Sequence, residues 1–137
     1  MTQEEKELLL KDLSARLPYG VKVTTTNPAA EFGVMSGISI KGKISVETKD
    51  ADIVFECTEV KPYLRPMSSM TKEEEKEFVD ICTDIAKDRI HFVMDGSIDS
   101  NYMLEKFDWL NKNHFDYRGL IPKRLAIAVT EENNPYL

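Results

Sequence analysis

The sequence predicts an α+β domain: an antiparallel meander of about four to five short strands packed with an N-terminal helix and two later helices. Three observations point there. Thr2 with Glu5 and Thr71 with Glu74 form two T-x-x-E capping signals, each opening a stretch with apolar residues at helical spacing. Between them, from Val21 to Cys57, β-branched and apolar residues alternate with polar ones and are interrupted by short turn signals. The stretch Lys61–Phe78 divides the two regimes. Its Pro62 and Pro66 end the strands, and its capping signal starts the later helices.

The first helix is expected over about 3–17, with Leu9, Leu10, Leu13 and Leu17 as its apolar stripe. Lys6, Glu7, Lys11, Asp12 and Arg16 fall on the other side, and Pro18 with Tyr19-Gly20 ends the helix. Val21–Thr26 reads as a strand, and Asn27–Ala30 as a loop. Val34, Ser36, Ile38 and Ile40 share one face of the next strand. Lys41-Gly42 turns the chain, and Ile44 and Val46 continue the buried face. Lys49-Asp50 is a further turn, before Ile53, Phe55 and Cys57 alternate with Asp52, Val54 and Glu56. Lys61–Pro66 is extended, and Tyr63, Leu64 and Met67 pack across the sheet end.

The second helix is expected over about 72–88, with Phe78, Ile81, Cys82 and Ile85 as its buried stripe. Ile90–Met94 reads as an added strand or an extended connector, and Asp95-Gly96-Ser97 as a turn. Asp99 or Ser100 caps a third helix running to about Asn113, with Met103, Phe107, Leu110 and His114 on one face. Leu120–Lys123 is a loop because of Pro122. Leu125, Ile127 and Val129 suggest a last short strand, and the tail EENNPYL is loose.

The 137 residues suit one domain spanning 1–137, with no repeat, low-complexity segment or linker to divide it. A net charge of −6 and a pI of about 5.0 disfavour a broad phosphate-binding surface. The early acidic residues do not resemble a signal peptide, and no run approaches the roughly 20 apolar residues needed to cross a bilayer. No membrane association and a cytoplasmic location are therefore expected. Cys57 and Cys82 are too far apart for a CxxC motif, and each sits in an apolar pattern, as buried reduced thiols do.

The candidate chemistry is sparse. His114, Asp116, Tyr117 and Arg118 bring an imidazole, a carboxylate, a phenol and a guanidinium together in sequence, a set suited to acid–base work or to holding an anion. The competing account is a helix terminus, with His114 near the negative end of the dipole, Phe115 and Tyr117 packing, and Gly119 turning the chain. Metal-ligand spacing is absent between His91 and His114, and no metal or cofactor is expected. Asp95–Asp99 lacks the oxygen ladder of a calcium loop. Ser68 and Ser69 lack the turn of an activated nucleophile and read as a lead-in to a helix. Basic and aromatic residues recur at Lys61, Tyr63 and Arg65, and again at Tyr117, Arg118, Lys123 and Arg124. Brought together they would form a patch for a nucleic-acid backbone or an acidic protein. Tyr63 and Arg65 have no evident structural role, so they join His114, Asp116, Tyr117 and Arg118 as candidate partner contacts.

Three blocks, LLLKDLSARLPYGVKV (Leu8–Val23), KPYLRPMSSMTKEEEKEF (Lys61–Phe78) and FDWLNKNHFDYRGLI (Phe107–Ile121), resemble short uncharacterised proteins that recur in gut Bacteroidetes genomes and in their phages and mobile elements. The stretch Thr24–Val60 lies outside the resemblance. The end departs from it too: a Lys-Gly-Leu-Ala-Leu type of ending is replaced by Lys123-Arg124-Leu125-Ala126-Ile127. The resemblance implies a setting and no activity. The expected function is a small non-enzymatic interaction module, phage- or mobile-element-associated, that binds a host or phage protein. The alternatives are a nucleic-acid-binding accessory protein and a small enzyme using His114 and Asp116.

Overall fold

The computed structural model describes residues 1–27, 32–95 and 101–137, with side chains for all of these except 84–95 and 101–103. The sheet contains β1 (Lys22–Thr25), β2 (Phe32–Ile38), β3 (Lys43–Glu47), β4 (Asp52–Glu56), β5 (Val60–Leu64) and β6 (Ile127–Ala128). The helices are α1 (Gln3–Arg16), α2 (Lys72–Asp95) and α3 (Asn101–Lys112). Strand order is β4-β3-β2-β1-β5-β6. Strands β1 to β4 form the expected meander. The chain then crosses back, so that β5 pairs with the free side of β1. Among the described strand pairs only β5–β6 is parallel, and an isolated parallel bridge joins Arg65 to Phe115.

Local chemistry sets most boundaries. Thr2 and Glu5 make both bonds of the capping box that opens α1. Past Arg16 a short 3-10 turn carrying Pro18 reaches Gly20, whose φ of +66° is open to glycine without strain. Thr71 and Glu74 make the equivalent pair of bonds before α2. Pro62 sits inside β5, where strand status was not expected. It lies opposite Val23 in a pair that needs no hydrogen bond to β1, and β6 begins only opposite Tyr63, so its missing N–H costs the ladder nothing.

Several expectations are corrected. A bulge between Met35 and Gly37 shifts the register of β2, so Met35 and Ile38 face the core rather than Val34 and Ser36. Ile40 is wholly exposed at the hairpin tip. Gly33 is required by close approach, since a Cβ there would lie 2.5 Å from Val46 Cγ1 and 2.8 Å from the Glu47 carbonyl oxygen. Ile90–Met94 is neither strand nor connector. With no glycine or proline to stop it, α2 continues through Asp95. Phe78, Ile81 and Cys82 are half-buried rather than core, and Met67 is exposed. Ile85 and Met103 carry undescribed side chains, while Pro28–Ala30 of the first loop, Gly96-Ser97 of the expected turn, and the Asp99 and Ser100 caps lie outside the described residues.

The core lies between the sheet and α1. Leu9 and Leu13 meet Val21, Val23, Met35, Ile44, Val46, Phe55, Val60 and Leu64, while Leu120, Leu125 and Ala126 close the far side. Burying each large side chain contributes about 1.5–3 kcal/mol. α2 and α3 pack chiefly on each other, and α3 buries Leu110. Both cysteines are free thiols, Cys57 buried and Cys82 half-buried.

The turn before β6 is strained. The Leu125 N–H donates to the Leu120 carbonyl and the Arg124 N–H to the Ile121 carbonyl, with Leu120 and Leu125 buried together. This is a Schellman arrangement, and Arg124 holds its left-handed position at φ +62°. A side chain costs about 1–2 kcal/mol there, against about 0.5–1 kcal/mol for the greater freedom of an unfolded glycine. Arg124→Gly is therefore expected to stabilise the chain by about 0.5–1 kcal/mol, raising Tm by a few degrees in a calorimetric scan.

Candidate binding site

The sequence-selected residues His114, Asp116, Tyr117 and Arg118 lie with Arg65 around the exit of α3, whereas the Tyr63 ring packs edge-on against Phe32 at 5.8 Å and only its carbonyl reaches the group, through Tyr136. The Phe115 N–H donates to the Leu110 carbonyl at 3.0 Å and the His114 N–H to the Asn111 carbonyl at 3.1 Å. This is a second Schellman cap, with His114 in the left-handed position at φ +63° and the buried Phe115 and Leu110 as its apolar contact. The helix has therefore ended before His114, which does not continue the Leu110 face. Phe107 is not core either, at 40% exposed.

The turn is clamped to β5 and α1. The Arg65 N–H donates to the His114 carbonyl at 2.7 Å, and the Asp116 N–H to the Arg65 carbonyl at 2.9 Å. The Arg65 guanidinium, expected to lack a structural role, is bidentate to Glu74 at 2.6 and 2.7 Å and lies 4.2 Å from the Phe115 ring centroid. Asp116 accepts the N–H groups of Leu120 and Ile121, one on each carboxylate oxygen, at 2.8 and 2.9 Å. The Tyr117 hydroxyl donates to Asn111 Oδ1 at 2.8 Å.

Asp12 and Arg16 overturn their assignment to the solvent side of α1: both are 0% exposed. Arg16 Nε and Nη2 donate to the Asp12 carboxylate at 2.7 and 3.1 Å, and Nη2 also donates to the Phe115 carbonyl at 2.6 Å. Arg118 Nε lies 3.4 Å from Asp12 Oδ1, an ion pair without hydrogen-bond geometry. Arg16 and Arg118 both stand 5.2 Å from the Tyr117 centroid. Arg16 Nη1 and His114 Nδ1 are buried without a protein partner.

A chain of rings and cations links these groups. Phe115 stacks on Trp109, Trp109 meets Phe78, and Lys106 lies over both Phe78 and Phe107. Phe107 in turn meets Tyr117. Each link is worth about 0.5–1.5 kcal/mol beyond area burial. Trp109 Nε1 also donates to Glu77, tying late α3 to early α2.

The C-terminal tail is anchored rather than loose. Tyr136 stacks on the His114 ring at 3.9 Å. Its hydroxyl donates to the Tyr63 carbonyl at 2.7 Å and accepts the Lys22 N–H at 3.1 Å. Lys22 and Tyr63 face each other across the β1–β5 ladder, so the phenol bridges two backbone groups that the ladder would otherwise join. Lys22 Nζ donates to the Pro135 carbonyl at 2.6 Å. Burial pushes the Tyr136 phenol up to about 12. Nothing local in the sequence marks Tyr136. The Asp12–Arg16 spacing is visible but does not reveal burial.

Burial lowers the His114 pKa to about 4, with the charges of Arg16, Arg65 and Lys22 adding to the shift. Hydrogen bonds from Arg65 chiefly lower Glu74 to about 2, against partial burial. Among the described residues, no group of three or more His, Cys, Asp or Glu is placed to hold a metal ion. No helix there is long and apolar enough to cross a membrane. No protein-family model, curated protein or solved structure matches the chain.

Two expectations follow from this geometry. Asp12→Ala leaves Arg16 as an unpaired buried charge and is expected to cost about 3–5 kcal/mol in urea unfolding. The double replacement Asp12→Leu with Arg16→Met is expected to cost less than that single change. Acid acts in two windows. An unfolded His binds its proton at about 6.5, so the stability from keeping His114 neutral is complete above that pH and is lost towards about 4. The Glu74 contribution is complete above 4.5 and is lost towards about 2. NMR titration is expected to place the His114 midpoint near 4. A midpoint near the ordinary 6.5 contradicts the buried neutral ring.

Proposed function

We propose that the chain is a non-enzymatic interaction module that binds another protein. One observation carries the reading: the side chains suited to a small ligand are engaged within the chain, while apolar side chains stand in solvent. Asp116 holds two backbone N–H groups, Arg65 holds Glu74, and Arg118 faces Asp12. Val54 on the sheet, Val79 on α2 and Leu104 on α3 are each more than half exposed. A partner that covered any of these positions would gain by withdrawing apolar surface from water. The resemblance of the three sequence blocks makes a host or phage protein the partner to test first.

The same pairing weighs against a nucleic-acid interface built on Arg65 and Arg118, since each faces a carboxylate before it reaches a phosphate. The enzyme reading is weakened by the low basicity of His114 and by the engaged oxygens of Asp116.

The test uses the full chain as bait in lysates of a gut Bacteroidetes host, with and without phage, followed by titration of any captured protein in purified form. A saturable complex that Leu104→Asp or Val54→Asp weakens about tenfold or more is the expected result. Absence of any protein partner contradicts the proposal, as does salt-sensitive binding of DNA or RNA alone or turnover of a metabolite.

A further inference from the structure

β4 is the last strand of the sheet, and among the described residues no strand lies beyond it. Its outward groups follow from ladder parity. At the β3–β4 turn the Thr48 N–H donates to the Ala51 carbonyl. Bonded pairs alternate with open ones in an antiparallel ladder, so Val46↔Ile53 and Ile44↔Phe55 are the bonded pairs. The N–H and C=O groups of Asp52, Val54 and Glu56 therefore point away from β3. The chain closes one end itself, since the Glu56 N–H donates to Glu59 Oε2 at 2.9 Å. Asp52 and Val54 remain as an open edge, and the strand, Asp-Ile-Val-Phe-Glu, carries no proline or lysine to blunt it.

The side chains along this edge say what fits it. Asp52, Val54 and Glu56 line the solvent face, and Val54 is 62% exposed. Ile53 and Phe55 face the core, with Ile53 only half-buried. Glu47 stands directly opposite Asp52 in an open pair, the arrangement in which side chains come nearest. Like charges there are destabilising. Glu56, by contrast, is paired with Lys43.

We propose that the β4 edge is the docking site for an extended peptide segment that adds to the sheet as a further strand. The segment carries β-branched or apolar residues and a lysine or arginine opposite Asp52, at one end or the other according to strand direction. This rests on the protein-binding reading above and names the partner's chemistry. Backbone bonds to Asp52 and Val54 supply the pairing, and alternate side chains supply the choice of sequence. A basic residue opposite Asp52 neutralises an acid that now faces another acid. Apolar residues opposite Ile53 and Phe55 extend the rim of the core. A second copy fits poorly, because antiparallel self-pairing about Val54 sets Asp52 against Glu56 of the other copy.

The test titrates the isotope-labelled full chain with a capped peptide whose centre reads Lys-Ile-Thr-Val-Lys, and with its Glu-Ile-Thr-Val-Glu counterpart. The lysine peptide is expected to shift the amides of Asp52 and Val54, and the glutamate peptide to leave them in place. Val54→Pro removes an outward N–H and no bond to β3, and Asp52→Lys reverses the edge charge while relieving Glu47. Each is expected to weaken the lysine peptide about tenfold or more. Asp52→Lys keeps the proposal testable should Val54→Pro not fold. Equal binding of the two peptides, no binding, shifts mapping elsewhere, or undiminished binding by Asp52→Lys overturns the proposal. So does a dimer of the free chain that Val54→Pro abolishes, since it gives the edge to a second copy. A protein partner held equally by wild type and both variants removes the docking site and leaves the binding reading standing. Lack of any protein partner removes that reading, while the peptide titration still decides the edge.

Discussion

The buried Asp12–Arg16 pair is the constraint on which the rest depends. Two charges on adjacent turns of one helix are withdrawn from water, and removing Asp12 leaves the Arg16 charge uncompensated. Arg16 uses the same guanidinium to hold the Phe115 carbonyl, 99 residues away in sequence. That bond fixes the turn after α3, and the turn fixes much else. Arg65 pairs with its backbone, Asp116 ties it to the segment that walls the core, and His114 offers its ring to Tyr136. The first helix, the fifth strand, the third helix and the tail thus meet through one polar knot.

This knot shows how the most distinctive residues are engaged within the chain. A general base works best with a pKa near the working pH. Asp116 has given both oxygens to backbone donors, and His114 sits among three cations that favour its neutral form. The left-handed backbone at His114 is accompanied by the Arg65 bond to its carbonyl and by the Tyr136 stack. Residues gathered from four parts of the chain, each with its partner inside the chain, do the work of a fastening. What is left unfastened lies elsewhere, on β4 and on the exposed apolar positions of the helical pair.

Much of the architecture was legible because it is local. Both capping boxes, the β1–β4 meander and the Leu9–Leu13 stripe depend on neighbours within a few residues. What escaped depends on distant partners. A charge on a helix reads as solvent-facing, and only the Phe115 carbonyl and Asp12 together make burial of Arg16 tolerable. The β2 bulge inverted an otherwise clean alternation, and Pro62 is admitted to β5 only by the parity of its pairing. The sequence raised proximity of the Arg65 and Arg118 regions only as a condition, and in the fold Arg65 meets the His114–Asp116 turn. The roles of these residues were not legible, because Glu74, Asp12 and Tyr136 lie in other elements.

The account makes one part of the chain closed and another open, and residue-by-residue native-state hydrogen exchange measures both at once. It predicts that the amides of Arg65, Phe115 and Asp116 exchange only on global unfolding. Along β4 it predicts alternation, with Ile53 and Phe55 slow and Asp52 and Val54 fast. Fast exchange at Phe115 and Asp116, or protection of Asp52 and Val54 in the free chain, would contradict it.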